Sequence, residues 1–592
     1  MRQASLVYSL ASPALVKSQA TVASSVDSND VLDGYVSYSI EFSSFPQFAG
    51  NDSHPNIFSD TLLDNLGQFL GRKPYIRVGG NTQDYALYDA SLPIALNGTI
   101  DPDRSPDYPT TITIGPSYFE SYTTWKDVKF SHGFNLGLGG SKPEGWQTLL
   151  DTVPLACQTL GDGKLYLWEY GNEPDLFSTS AQGPVRSSDW NEAQYVQQWQ
   201  NGTRQIKALL EKHCPELTDG GVYGYLAPSF AGTGNTLKAA DAWAEGLNDD
   251  KDIAFFSTHN YISGAASPGV TLQGTLMNHA VTKRSVDAHV DEYNAILSQS
   301  SSSDDPVPPL IFGETNSLYN QGRPGLSNTF GAALWGVDFN LYSASVGFKR
   351  VHMHMGTNYR YAAWQPVLTD LATLGTKAPY YGSITVAAAL GSDPATVVSI
   401  PLTSSSVSSS SSFTASTSST SASSDDNANA NADATAADDL QPEAAYAIYT
   451  SQGTHLTRLV ILNMRSYNTT RDGAGLEPVP SPPPRGETEY AFALDITGAS
   501  SSANNNIQAG QELAVRRLLA NGSDAITGIT WDGWSYNYEL EGGKPVRLEN
   551  VTVGETVVVG EDGVVKVSVP DASAVVLEFD VGGEGRRGKG KQ

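Results

Sequence analysis

The chain has 592 residues, 40% hydrophobic and 10% aromatic, which suffices for a large core and exceeds one ordinary domain. Its formal net charge of −27 repels nucleic acid and anionic membrane, so neither is expected as a partner, and no run of about 20 apolar residues offers a transmembrane helix. With Cys157 and Cys214 as the only cysteines, a disulfide scaffold and a cysteine-based zinc site are excluded; one bridge and two separate buried thiols both remain open.

Residues 1–30 open with MRQASLVYSLASPALVKSQA, whose apolar stretch is broken by Ser and Pro. They read as a degenerate or missing leader that could add a strand to a later β domain. Residues 31–380 then repeat one theme, a short apolar strand ending in polar or Gly-rich residues and followed by a segment of helical periodicity. The strands expected are YVSYSIEF (35–42), PYIRVGGN (74–81), FNLGLGG (134–140), LYLWEYGNEP (165–174), VYGYLAPSF (222–230), FFSTHNY (255–261), PLIFGET (309–315) and RVHMHMG (350–356). Eight alternating units predict an α/β architecture, a (β/α)8 TIM barrel with insertions. A doubly wound sheet would need a phosphate-binding Gly loop after the first strand, and SIEFSSFPQF is not one.

From residue 381 to 582 the pattern changes to short β-branched runs such as AYAIYT, THLTRLVILN and VVKVSVP, separated by Gly, Asp and Pro. They predict an antiparallel β-sandwich. The Ser-rich stretch 403–439 interrupts it with a composition unable to bury enough apolar surface to offset ordering, so a disordered insertion is expected there, and a disordered tail over 583–592. Asn51, Asn97, Asn201, Asn468, Asn521 and Asn550 open N-x-S/T sequons, which a chain rich in Asn, Ser and Thr also acquires by chance.

A barrel carries its chemistry at the C-terminal ends of its strands. Those ends supply Arg77, Asn81, Asn172, Glu173, His259, Tyr261, Glu314 and the pair His352/His354. Glu173 and Glu314, on the fourth and seventh strands, could meet across the mouth, where a glycosidic bond needs one carboxylic acid and one carboxylate. Glu169 shares a strand face with Glu173 in regular alternation, and inside a barrel it needs a cation, for which Arg77 is the candidate. His352 and His354 have a spacing that a metal could use, with His259 as a third ligand, although hydrogen bonding in the barrel or to sugar is the stronger reading.

WEYGNEP and LIFGETNSLYNQG, together with YIRVGGNTQD (75–84) and HMHMGTNYRYAAWQP, resemble the clan A retaining glycosidases and specifically glycoside hydrolase family 79, over nearly the whole chain. The resemblance implies a β-glucuronidase-like enzyme with Glu173 as general acid/base, Glu314 as nucleophile and Asn172 binding the sugar 2-hydroxyl. It also implies Tyr319 and Tyr361, with the Gln321-Gly322 turn, as donors to a uronate carboxylate; Gln321 stands where a glycine is expected, and Tyr359 reads as rim packing. The expected activity is a retaining exo-β-glucuronidase without metal or organic cofactor, acting as an extracellular monomer on uronic-acid glycosides. An endo-β-glucuronidase, another clan A glycosidase such as an arabinofuranosidase, and a non-catalytic sugar-binding protein are the alternatives.

Overall fold

A computed structural model describes residues 16–180, 183–218, 221–299, 306–404, 440–496 and 507–579. Eight parallel strands close into a barrel: β1 (Val36–Glu41), β2 (Ile76–Gly79), β3 (Phe130–Phe134), β4 (Leu165–Tyr170), β5 (Tyr225–Phe230), β6 (Ile253–Gly264), β7 (Leu310–Tyr319) and β8 (Val351–Met355). β8 pairs with β1, so the sheet has no free edge.

Helices cover the outside, and their ends show why they start where they do. Asn56 caps Ile57–Leu70 by accepting from the Ser59 amide at 3.1 Å, and Asn191 with Gln194 forms a capping box on Glu192–His213. Two departures from the expected alternation bear on the site. No long helix follows β2; residues 86–114 build a small three-stranded sheet (Ala86–Tyr88, Leu96–Thr99, Thr111–Ile114) flanked by 3-10 turns, as suits a stretch dense in Pro, Asp and Thr. The third strand is FSHGF at 130–134 rather than FNLGLGG at 134–140, because the Ser-His-Gly interior masks it in a hydropathy reading. Asn135 to Gly140 form the turn that follows.

The helix Ala378–Leu390 runs through the boundary placed at 380 and packs against Phe330–Ser345 and Ile57–Leu70, so the barrel layer extends to about residue 390. Beyond it lie two packed sheets. The larger runs in the order Ala395–Ser399, Glu443–Thr450, Leu456–Asn463, Ser573–Glu578, Glu512–Leu519 and then shorter strands. The smaller joins Thr403–Ser404, Val16–Val22, Glu487–Leu494 and Val564–Pro570. Val16–Val22 pairs parallel with Glu487–Leu494, one exception in an otherwise antiparallel sandwich, and places the start of the described chain in the C-terminal domain. Tyr490, Phe492, Leu459, Ile461, Val575 and Leu577 fill the space between the sheets. The Ser-rich insertion lies outside the described residues from 405 to 439, as does the tail from 580.

One apolar cluster is continuous from the barrel into the outer face of the larger sheet, through Val397, Tyr446, Ile448, Val460, Leu462 and Val576. The first amides of the helix Phe330–Ser345, which have no partner within the helix, donate to sandwich carbonyls: Phe330 N–H to Ala525 and Gly331 N–H to Ser523, both at 2.7 Å. Cys157 and Cys214, at the C-terminal ends of two neighbouring helices, are bridged, which settles the choice that their spacing left open. No helix among the described residues is long and apolar enough to cross a membrane.

Candidate active site

Inside the barrel the side chains change character with height. Leu167 packs with Leu226 and Ile311 in a small apolar cluster of its own. One step higher on the same face of β4, Glu169 is fully buried and accepts Arg77 Nε at 2.8 Å and Ser229 Oγ at 2.6 Å. Arg77, from β2, is also fully buried and reaches three further groups: Glu314 Oε2 at 2.6 Å, Asn172 Oδ1 at 2.8 Å and Ser39 Oγ at 3.0 Å. A guanidinium suits this task, because its planar fork offers five donors and keeps its charge.

Above this layer sit the two glutamates. One oxygen each of Glu173 and Glu314 and a ring nitrogen of His259 all lie within 4.8 Å of one another. Strand pairing brings His259 directly opposite Glu314 across β6 and β7. Glu173 arrives by a different route. β4 ends at Tyr170, and Gly171 (φ 89°) and Glu173 (φ 52°) both take left-handed backbone before Pro174 starts a 3-10 turn. A Cβ on Gly171 would stand 2.7 Å from Leu136 Cδ2, so glycine is required there for space as well as for φ. Regular alternation would send Asn172 and Glu173 to opposite faces; the positive φ values break it, and both meet the Arg77–Glu314 cluster.

The carboxyls differ in charge because their surroundings differ. Burial pushes the Glu173 carboxyl well above the usual range, the negative Glu314 and Asp175 push it further, and its recorded partner is His259 Nδ1 at 3.0 Å. Burial acts on Glu314 the same way, but His354, His259, Arg77 and the Tyr261 hydroxyl (2.7 Å from Oε1) outweigh it and hold it down to about 2. Burial also pushes His259 well below its usual value, and His354 Nδ1 lies 3.5 Å from Glu314 Oε2; of the three, Arg77 is the neighbour whose charge does not depend on pH. At neutral pH the arrangement is one carboxylate and one carboxylic acid side by side.

Of the other expected residues, Asn81 accepts from Asn172 Nδ2 at 3.1 Å, and Tyr361 lies beside Tyr261 with ring centres 6.0 Å apart. Gly322 reaches the site through Tyr361: a Cβ there would come within 3.0 Å of the Tyr361 amide. The carbonyl of Gln321 accepts the Arg360 amide at 2.8 Å, and the Tyr319 hydroxyl faces Ser267 Oγ at 3.4 Å. His352 and His354 do not converge on a metal: His352 Nδ1 sits 2.9 Å from the Phe312 carbonyl, and His354 Nδ1 sits 2.9 Å from Ser39 Oγ. Glu173, His259 and Glu314 are close enough to hold an ion, but Arg77 already neutralises Glu314 and Glu173 is protonated, a poor donor set for a cation.

Three buried acids escaped the strand-end reading. Glu41, the last residue of β1, accepts the Thr82 amide at 3.0 Å and the Tyr359 hydroxyl at 3.0 Å, which makes Tyr359 more than rim packing. Its place at a strand end was the signal. Asp84 and Asp175 lie in the 3-10 turns Asn81–Tyr85 and Pro174–Leu176 after β2 and β4, where hydropathy gives none.

Two carboxyls of opposite protonation on opposite strands of a (β/α)8 barrel, above one buried guanidinium, form the layout of a glycoside hydrolase. Residues 445–576 match the model of the glycosyl hydrolase family 79 C-terminal beta domain. A protein of Neurospora crassa named beta-glucuronidase is 60% identical over 95% of this chain and 96% of its own. One of Aspergillus niger with the same name is 50% identical over 93% and 91%. The crystal structure of a 4-O-alpha-L-rhamnosyl-beta-D-glucuronidase from Fusarium oxysporum shares the fold, with a TM-score of 0.66 at 22% identity over 95% of this chain and 100% of that one. The chain belongs to glycosyl hydrolase family 79 and is an O-glycosyl hydrolase.

Proposed function

We propose that this enzyme is a retaining exo-β-glucuronidase that releases glucuronic acid, or its 4-O-methyl form, from glycans or glucuronide conjugates. The relatives of 60% and 50% identity support the β-glucuronidase activity. The observation that carries the mechanism is the spacing of Glu173 and Glu314, within 4.8 Å by their nearest oxygens. Retaining enzymes place the pair about 5 Å apart, and inverting ones leave room for water at about 6.5–9.5 Å.

In the first step Glu314 attacks the anomeric carbon while Glu173 gives its proton to the leaving oxygen. The bond to the aglycone breaks, an ester to Glu314 forms, and Glu173 is left ionised. Esterification removes the charge on Glu314 that had opposed this ionisation. Glu173 then takes a proton from water, whose oxygen attacks the same carbon and frees Glu314. Asn172, its Oδ1 held by Arg77 and one N–H by Asn81, keeps a second N–H for the sugar 2-hydroxyl. Tyr319, Tyr361 and the Gln321 backbone amide supply neutral donors for the uronate carboxylate, while the Gly322 amide closes the turn on the Leu318 carbonyl at 3.1 Å; no cofactor takes part. The proposed working unit is a single chain outside the cell, a setting that the Cys157–Cys214 bridge supports.

Proton NMR of 4-nitrophenyl β-D-glucuronide hydrolysis tests this reading. The β-anomer appears first, Glu314→Gln loses turnover, and Glu173→Ala with azide yields the β-glucuronyl azide. First appearance of the α-anomer would overturn retention.

A further inference from the structure

The Asn172-Glu173 turn is anchored through three consecutive amides, each to a different part of the barrel. Gly171 N–H donates to the Phe134 carbonyl on β3 at 3.0 Å, and Glu173 N–H donates to the Ser229 carbonyl on β5 at 3.0 Å. Only the middle anchor is a side chain: Asn172 N–H donates to Asp84 Oδ2 at 2.7 Å. The other oxygen of Asp84 accepts the Leu136 and Gly137 amides at 2.7 and 2.8 Å. On the far side of the same two residues, Arg186 donates to the Gly137 carbonyl at 2.7 Å and the Leu136 carbonyl at 3.1 Å. Arg186 comes from the loop after β4 and stacks on Trp190, its guanidinium carbon 4.9 Å from the ring centre. Loops after β2, β3 and β4 are thus clamped between one buried carboxylate and one guanidinium.

We infer that Asp84 is a positioning residue for the reaction: through the Asn172 amide it sets where the Asn172 side chain meets the sugar 2-hydroxyl. The inference rests on the reading of Asn172 as the donor to that hydroxyl. Asp84 touches no reacting atom. Both its oxygens are used as acceptors, so replacing one with an NH2 group sets a donor against a donor and releases either Asn172 or the 136–137 turn. Burial opposes its ionisation and pushes it up to about 7, against the Gly137, Asn172 and Leu136 amides that favour the carboxylate.

The test compares kcat/KM for 4-nitrophenyl β-glucuronide with that for its 2-deoxy analogue, using the full-length enzyme and its Asp84→Asn, Asn172→Ala and Gly137→Ala variants. The ratio of the two is independent of the fraction of folded enzyme, so general destabilisation does not move it. Asp84→Asn lowers the ratio by about tenfold or more, approaching Asn172→Ala. Gly137→Ala gives a charge-neutral check if Asp84→Asn folds poorly. Its Cβ would stand 2.9 Å from Asp84 Cβ and 2.7 Å from the Asp84 carbonyl oxygen, and it lowers the ratio by about threefold. If Asn172→Ala flattens the ratio while Asp84→Asn and Gly137→Ala keep it at the wild-type value, Asp84 is merely structural and the inference falls. A wild-type ratio in Asn172→Ala overturns the underlying reading of Asn172 as well.

Discussion

Tyr261→Phe isolates one contribution to the ionisation of Glu314. Oε2 of that carboxylate takes Arg77, and Oε1 takes the Tyr261 hydroxyl at 2.7 Å. A hydrogen bond to a charged group contributes about 1.5–3 kcal/mol, and one pH unit corresponds to about 1.4 kcal/mol, so its loss raises the Glu314 pKa by about one to two units. The sign follows from the donor favouring the charged form: without it protonation is easier, and the value climbs from about 2. Glu314 must be ionised to attack, so the acid limb of the kcat/KM profile moves to higher pH by the same amount. The basic limb reports Glu173 and stays within a few tenths of a unit, since Tyr261 makes no recorded hydrogen bond to it. The assay is kcat/KM for 4-nitrophenyl β-glucuronide from pH 2 to 8, with aliquots returned to neutral pH to correct for acid inactivation. An acid limb that stays put in an active, reversibly folded Tyr261→Phe enzyme refutes the assignment of Glu314 as the ionised nucleophile held by this hydroxyl.

Other expectations follow from the same contacts. Glu169→Gln leaves the fully buried Arg77 short of a counter-charge and costs about 3–5 kcal/mol, read from urea unfolding. Cys157→Ser opens a bridge that spans 57 residues and lowers stability by about 4 kcal/mol on the loop-entropy account; reductant added to the wild type reproduces the loss in calorimetry. EDTA leaves kcat unchanged, because Arg77 rather than a metal ion neutralises Glu314, and an EDTA-sensitive activity restored by a divalent cation contradicts that assignment.

Local patterns made the barrel legible, since seven of the strand segments fall where apolar runs end in polar residues. The third does not, because Ser131 and His132 are buried polar groups that interrupt the apolar run, His132 being satisfied by the Tyr122 hydroxyl at 2.6 Å. The same distinction governs the site. Glu173 and Glu314 stand out at strand ends, and the need of Glu169 for a cation can be reasoned from alternation. That Arg77 serves Glu169, Glu314 and Asn172 at once depends on distances across the barrel that no linear spacing encodes. Asp84 gives no linear signal either, as its ligands are backbone amides whose orientation exists only in the fold. The disulfide is of the same kind: nothing in the sequence places the ends of two helices side by side.

Counting charges explains why Glu173 can be an acid. The buried layer contains Glu169, Glu314 and, further round the mouth, Glu41; Arg77 lies between the first two, His354 lies 3.5 Å from Glu314 and 3.4 Å from Glu41, and burial disfavours a charge on His259. Arg77 spends its donors on Glu169 through both Nε and Nη2 and on Glu314, the Ser39 hydroxyl and the Asn172 amide oxygen, so none is left for Glu173. A second cation beside Glu173 would ionise it and abolish proton donation; removing Arg77 would leave Glu314 competing with it for the proton. The Glu314 carboxylate also faces the carbon that gains positive character as the glycosidic bond breaks. Neutral tyrosine hydroxyls rather than lysines around Glu314 are consistent with this balance, because a further fixed cation near the uronate would shift both glutamates toward ionisation and disable the pair it was meant to assist.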